Sequence, residues 1–332
     1  MNKKNCISDG IIDCNVRIKF QFNKKSYEGY KGDTLASALM RNDVRVVGRS
    51  FKYHRPRGIF SAGSEEPNAL VELRSGARQE PNTKATVTEL YDGLVAKSQN
   101  HWPSLHYDFL AINDRISNFL VAGFYYKTFM WPASFWEKIY EPIIRRAAGL
   151  GKISFLEDPD LYERGFLHCD ILIIGSGPSG LAATITAGRS GARVILIEED
   201  FILGGRLNSE SFEINDIPAA KWVENVKAEL IDMPNVRLMS RTTVVGSYDH
   251  GIYTALERVS DHIKIPQKGK ARQIFWRIYS KQSILCSGAI ERPIAFSNND
   301  RPGIMLASAV RSYVNRWGVV PGRNVVIFTN ND

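Results

Sequence analysis

The 332-residue sequence predicts an α/β protein built on a doubly wound parallel sheet, and three observations carry that expectation. The apolar run Cys169-Asp170-Ile171-Leu172-Ile173-Ile174 reads as a buried parallel strand. Gly175-Ser176-Gly177-Pro178-Ser179-Gly180 follows in the pattern G-x-G-x-x-G, and Leu181 to Ala187 opens as a helix. A second apolar run, Val194-Ile195-Leu196-Ile197, ends on Glu198, about 20 residues beyond the glycines. Strand, glycine turn, helix, strand and acid in this order define a Rossmann-type unit, which holds a dinucleotide.

Each residue type has a physical task. Gly175 allows the tight strand-to-helix turn, Gly177 lets the backbone approach a pyrophosphate, and Gly180 lets the helix pack on the strand. Ser176, Pro178 and Ser179 complete a turn whose helix N–H groups face the phosphate. The carboxylate of Glu198 can accept a bond from the ribose 2′-OH, and Glu199 beside it is a second candidate. Gly205 and Arg206 after the second strand, and Ser287 and Gly288 at a later turn, are the remaining candidate contacts. The acid disfavours a 2′-phosphate and hence NADP, but does not separate NAD from FAD, since both carry an adenosine ribose.

The rest of the chain divides around this unit. Residues 1–14 are a tail, and residues 15–95 read as a small α+β module. Val16 to Phe22 alternates as a strand, and Gly32-Asp33-Thr34 opens the helix Leu35 to Met40 with Asp33 as N-cap. Gly48 to Pro67 is irregular, Ala69 to Leu73 reads as a strand and Thr86 to Thr88 as a short one. Residues 96–165 form an aromatic-rich helical linker carrying Trp102, Trp131 and Trp136, suited equally to core packing and to partner contact. In residues 166–332, Asn235 to Met239 is a third strand. Thr242 to Val259 and Phe275 to Tyr279 read as an inserted β-meander, and Ser283 to Ala289 as a separate apolar strand. Ile304 to Trp317 is a helix, and Asn324 to Phe328 a fresh buried strand after which the domain is expected to be truncated.

Composition narrows the function. Hydrophobic residues at 44% and charged residues at 23% are ordinary for a globular chain. A net charge of +8 without an accompanying nucleic-acid motif argues against DNA or RNA as partner. The local basic cluster Arg49, Lys52, His54, Arg55 and Arg57 reads either as a solvated or subunit-facing loop or as a contact to nucleotide phosphates or flavin. Cys6, Cys14, Cys169 and Cys286 form no C-x-x-C pair, which fits inert thiols in a reducing cytoplasm. The N-terminus lacks a signal-peptide core, and the apolar stretch Phe119 to Trp136 is broken by Lys127 and Pro132, so no membrane segment is expected. No metal-ligand spacing and no Ser/His/Asp arrangement is present. His54, His101 and His106 read as packing or surface residues, and no catalytic residue is assigned.

Several segments together resemble one family. They are Gly32-Asp33-Thr34-Leu35-Ala36-Ser37-Ala38-Leu39, Ser50 to Ile59, Ser64-Glu65-Glu66-Pro67-Asn68, the glycine turn, Gly204-Gly205, and Ser287-Gly288-Ala289-Ile290-Glu291-Arg292-Pro293. In these the chain resembles the alpha subunits of heterotetrameric sarcosine oxidases. Opine oxidases, dye-linked proline dehydrogenases and hydrogen cyanide synthase share the layout. The resemblance implies that residues 15–95 are a ferredoxin-like (β-grasp) module, and that NAD, or alternatively FAD, sits on this chain. It implies FAD on a beta subunit, FMN at the alpha–beta interface, and gamma and delta partners. The implied reaction is oxidative demethylation of sarcosine to glycine, with electrons passed through flavins to oxygen and tetrahydrofolate serving the complex. Arg49 to Gly63, where a ferredoxin carries its cysteine ligands, contains no cysteine, so no iron–sulfur cluster is expected. With the chemistry divided among subunits, the chain alone is expected to be inactive.

Overall fold

The computed structural model describes residues 11–119, 123, 131–148 and 151–330. A five-stranded sheet comprises β1 (Asp13–Phe22), β2 (Lys25–Lys31), β3 (Leu70–Leu73), β4 (Glu80–Lys84) and β5 (Leu94–Ser98), in spatial order β2-β1-β5-β3-β4. β1 pairs antiparallel with β2 and parallel with β5. The alternation of β1 turns Ile18, Phe20 and Phe22 inward, as a period of two requires. Helix α1 (Leu35–Arg41) packs into the same core with all seven residues buried.

The start of α1 differs from expectation by one residue. Thr34 is the N-cap, in a reciprocal box with Ser37. Asp33 precedes it, fully buried, accepting the Tyr30 N–H, the Ser37 hydroxyl and the Arg41 guanidinium. A carboxylate at this depth requires a cation, and Arg41 in the last turn supplies it. Thr86 to Thr88 is likewise a turn, the strand lying earlier at β4. The carbonyls of Ala85 and Thr88 accept the Ala36 and Leu35 N–H groups, so this segment serves the start of α1 instead of a ladder.

Short helices α2 (Ile112–Arg115) and α3 (Glu141–Ala148) fall in the aromatic-rich region. Most of the stretch Phe119 to Trp136 lies outside the described residues. No helix among the described residues is long and apolar enough to cross a membrane.

The second sheet comprises β6 (Tyr162–Ile174), β7 (Val194–Ile197), β8 (Val236–Met239), β9 (Thr242–Tyr248), β10 (Ile252–Glu257) and β11 (Gln273–Leu285), ordered β8-β7-β6-β11-β10-β9. The first four in that order are mutually parallel, and β10 and β9 continue antiparallel. Helices α4 (Pro178–Arg189) and α5 (Ala219–Ile231) cover one face, setting Leu181, Val223 and Leu230 against Ile173 and Leu196. The opposite face buries Leu172, Ile195, Ile197 and Ile278. All four residues of β7 are buried, the pattern of a parallel strand covered on both sides.

Phe275 to Tyr279 and Ser283 to Ala289, expected as separate strands, belong largely to one strand, β11, in register with β6 from Gln273↔Tyr162 to Leu285↔Ile174. The intervening Ser280-Lys281-Gln282 contains no Gly or Pro to break the strand, and Lys281 pairs with Asp170 on β6 at 2.9 Å. Asn324 to Phe328 joins no ladder among the described residues, and Val326 is 94% exposed. Apolar composition does not make a strand where no neighbour offers backbone partners.

Helix α6 (Ala307–Asn315) packs far from its neighbours in sequence. Leu306, Ala309, Tyr313 and Trp317 share one core with Phe20, Leu35 and Leu39. The Trp317 indole N–H donates to the Gly32 carbonyl at 3.1 Å, and the Trp317 carbonyl accepts from Arg41 at 2.6 Å. A second tie is ionic. Asp160 accepts from Arg78 of the first module and from Arg272, which is 2% exposed, while Arg74 bridges Glu80 and Asp261.

Candidate dinucleotide site

The site lies where β6, β7 and β11 end side by side. Gly175 sits there at φ +100°, its N–H donating to the Ile197 carbonyl at 2.8 Å. A Cβ on Gly175 would lie 2.4 Å from the Cys286 carbonyl oxygen, so only glycine passes. Gly177 is the N-cap of α4 and Pro178 its first residue, whose missing N–H costs nothing there. No side chain caps this helix start, so its N–H groups open outward, with Ser179 exposed. A Cβ on Gly177 would meet no atom within 4 Å, whereas one on Gly180 would lie 1.9 Å from the Gly175 carbonyl oxygen. One glycine thus faces open space and the other a backbone contact.

Ser176 is fully buried. Its N–H and hydroxyl both donate to Glu198 Oε2, at 2.8 and 2.6 Å, and Glu198 Oε1 accepts the Asp200 N–H at 2.9 Å. Burial pushes the Glu198 carboxyl above its ordinary value, against the pull of the Asp200 and Ser176 donors. Both Glu198 oxygens are therefore engaged within the turn. Asp200 is held by two nitrogens of Arg316. Glu199 between them is exposed, with the Ser64 hydroxyl donating to its Oε1 at 2.9 Å.

The Gly204-Gly205 turn closes on the same place. Gly204 has φ +116°, and its N–H donates to the Ser176 carbonyl at 3.1 Å; a Cβ on Gly205 would lie 3.0 Å from Gly177 Cα. Arg206 pairs with Glu210 at 3.3 Å. Ser287 and Gly288 are exposed just beyond Cys286, with Gly288 at φ +75°. In the same turn Glu291 accepts the Ala307 and Ser308 N–H groups at 3.1 and 2.7 Å, and so caps α6. Glu291→Ala is expected to lower stability by about 1 kcal/mol, the usual worth of an N-terminal cap, read as a shifted urea midpoint. An unchanged midpoint would show that α6 is held by packing alone.

The basic loop is spent internally. Arg49 donates to the carbonyls of His54, Leu105 and His106, while Arg55 and Arg57 pair with Asp300 at 3.0 and 2.8 Å. Buried His54 sets Nδ1 2.7 Å from Asp108 Oδ2, a partner hidden from sequence reading by a separation of 54 positions. Ser64, 135 positions from Glu199, was equally invisible, since no local pattern connects the two.

Fold and comparisons define the class: an oxidoreductase chain with a Rossmann-type dinucleotide fold preceded by a ferredoxin-like module. Residues 170–272 match the FAD dependent oxidoreductase family, and residues 15–101 match the 2Fe-2S iron-sulfur cluster binding domain family. Over nearly its whole length the chain is similar to sarcosine oxidase alpha subunits. It is 55% identical to the sarcosine oxidase alpha subunit of Rhizobium meliloti (strain 1021), over 97% of this chain and 33% of that protein. Identity to the corresponding protein of Corynebacterium sp. (strain U-96) is 39%, over 91% of this chain and 27% of that one. The chain thus spans a third or less of the length of these relatives. An opine oxidase subunit of Agrobacterium tumefaciens (strain Ach5) is 30% identical over 48% of this chain and 31% of that one. In fold, the chain is similar to L-proline dehydrogenase from P. horikoshii, with a TM-score of 0.59 at 20% identity, covering 95% of this chain and 50% of that structure.

One expectation is corrected. The expected absence of an iron–sulfur cluster is contradicted by the match to a 2Fe-2S cluster binding domain over residues 15–101. That expectation rested on one cysteine-free loop, Arg49 to Gly63, whereas the match rests on the whole module. Among the described residues the cysteines are dispersed, at Cys14, Cys169 and Cys286, and no group of three or more His, Cys, Asp or Glu converges on a metal-sized site. The FAD dependent oxidoreductase match fits a flavin, the alternative occupant of the dinucleotide turn.

Proposed function

We propose that the turn from Gly175 to Gly180 binds the pyrophosphate of FAD, and that this chain is the dinucleotide-holding part of an amine-oxidising enzyme acting on sarcosine. The observation that carries the reading is the open space before Gly177, at an uncapped helix start, in a turn where Gly175 and Gly180 admit no side chain. When bound, the flavin supplies the capacity to accept a hydride. The chain's own residues hold and orient. The first N–H groups of α4 point at the phosphates and the helix dipole favours their charge. Glu198 braces Ser176 and keeps the turn in shape, while the exposed Glu199 takes a ribose hydroxyl. Gly205, Ser287 and Gly288 line the approach.

The relatives' names as subunits support a multi-component assembly, and the resemblance to them carries the reading of beta, gamma and delta partners and of tetrahydrofolate within it. An opine as amine donor is the second reading, favoured by the 30% identity to a component of an opine oxidase. The test is extraction of the ligand from purified protein and its identification by mass. FAD is expected; NAD would overturn the flavin assignment, and no adenine dinucleotide at all would overturn the site. Turnover of sarcosine against opines by the co-purified assembly decides the substrate.

A further inference from the structure

Three consecutive acids end β7, and two of them are spent. Glu198 is taken by Ser176 and the Asp200 N–H, and Asp200 by Arg316. Glu199 alone among them is exposed, and among the described residues its carboxylate has one hydrogen-bond partner, the hydroxyl of Ser64 in the first module.

The segment that presents Ser64 is built, not loose. Glu66, 1% exposed, is its hub. Its Oε2 accepts the Phe60 and Ser61 N–H groups at 2.9 and 2.7 Å, and its Oε1 those of Asn68 and Ala69 at 2.8 and 3.0 Å. Thr86 donates its hydroxyl to the Gly63 carbonyl at 2.7 Å, and Lys84 donates to the Ser64 carbonyl. The backbone on the other side of the contact is tied to the first module as well. Arg258 donates to the carbonyls of both Val87 and Glu199. Arg241 pairs with Glu89 through two nitrogens, and its N–H donates to the Asp200 carbonyl at 2.8 Å.

From this geometry we infer that Ser64 is a positioning residue for Glu199, so that the ferredoxin-like module completes the adenosine-ribose end of the dinucleotide site. The inference rests on the dinucleotide reading above. A long exposed carboxylate samples many rotamers, and ordering it on ligand binding costs affinity. Holding Oε1 on the Ser64 hydroxyl leaves Oε2 aimed and available for the ribose 2′-OH before the ligand arrives.

The experiment measures binding of adenosine 5′-diphosphate, the moiety NAD and FAD share, to the full chain cleared of bound nucleotide. Ser64→Ala is expected to weaken it about fivefold, the worth of one hydrogen bond. Ser64→Thr, which keeps the hydroxyl, is expected to restore it. With the 2′-deoxy analogue the Ser64→Ala loss should vanish, and in a Glu199→Gln background it should vanish too. A loss equal for both ligands, or one that persists beside Glu199→Gln, overturns the positioning role, as does unchanged binding in Ser64→Ala while Glu199→Gln weakens it. Wild-type protein that binds no adenosine 5′-diphosphate overturns the site itself, and the inference with it.

Discussion

Gly180→Ala is expected to destabilise the protein by about 3 kcal/mol, the upper range for forcing atoms into filled space, and to abolish dinucleotide binding. The added Cβ would stand 1.9 Å from the Gly175 carbonyl oxygen and 3.4 Å from Cys286 Cβ. Neither neighbour can yield. Gly175 is fixed at φ +100° with its N–H on Ile197, and Cys286 follows β11 with its own N–H on the Ile174 carbonyl. Relief requires α4 to move off β6, which opens the core of Leu181, Ile173 and Leu196. Gly177→Val makes the informative contrast. Its Cβ enters empty space at an ordinary φ of −64°, so the fold should lose no more than about 1 kcal/mol, the cost of a poor N-cap residue. Its branched side chain nevertheless stands where the pyrophosphate would approach. Urea unfolding and ligand content, measured on both variants, separate the two roles. Equal losses of stability would show that the space before Gly177 is not a ligand site.

The second large effect is expected at Asp160→Asn, which leaves Arg272 and Arg78 without their shared anion. Removing one partner of a buried ion pair typically costs about 3 kcal/mol or more. The Asp160 side chain is 4% exposed and Arg272 is 2% exposed, so water can do little to compensate. Arg272 also reaches Asp261, which Arg74 shares, so the loss should loosen the seam between the two sheets. The effect carries a pH signature. Burial alone would raise the Asp160 carboxyl, but hydrogen bonds from Arg78 and Arg272 outweigh it and hold the group below its ordinary value. A depressed carboxyl contributes stability above the ordinary aspartate range, and that contribution is lost as pH falls through that range toward the depressed value. The gap between wild type and variant should therefore be constant near neutrality and shrink in acid. A gap that persists unchanged to low pH would assign the effect to packing.

Glycine spacing, strand runs and the acid at their end were legible because they act over short range. Gly175 and Gly180 answer to atoms of the same turn or of the adjoining strand end, and the runs from Ile171 and Val194 are hydrophobic because both sheet faces are covered. Even there the reading was good only to a residue. Asp33 and Thr34 are both competent caps, and the choice fell to the distant need of buried Arg41 for a carboxylate. Glu198 and Glu199 are chemically alike, and what separates them is that Ser176 turns inward to claim the first while Ser64 reaches the second. The sequence by itself determined the Rossmann-type unit, its glycine turn and the cluster of acids, since each depends on period, turn geometry or propensity within a few residues. Only the tertiary structure decided that β11 runs unbroken along β6, that α6 leaves its own sheet to bury Tyr313 and Trp317 beside Phe20, and that the first module touches the dinucleotide turn. Those outcomes join residues as far as 285 positions apart, where a side chain's partner is set by which surfaces the fold brings together and not by any pattern along the chain.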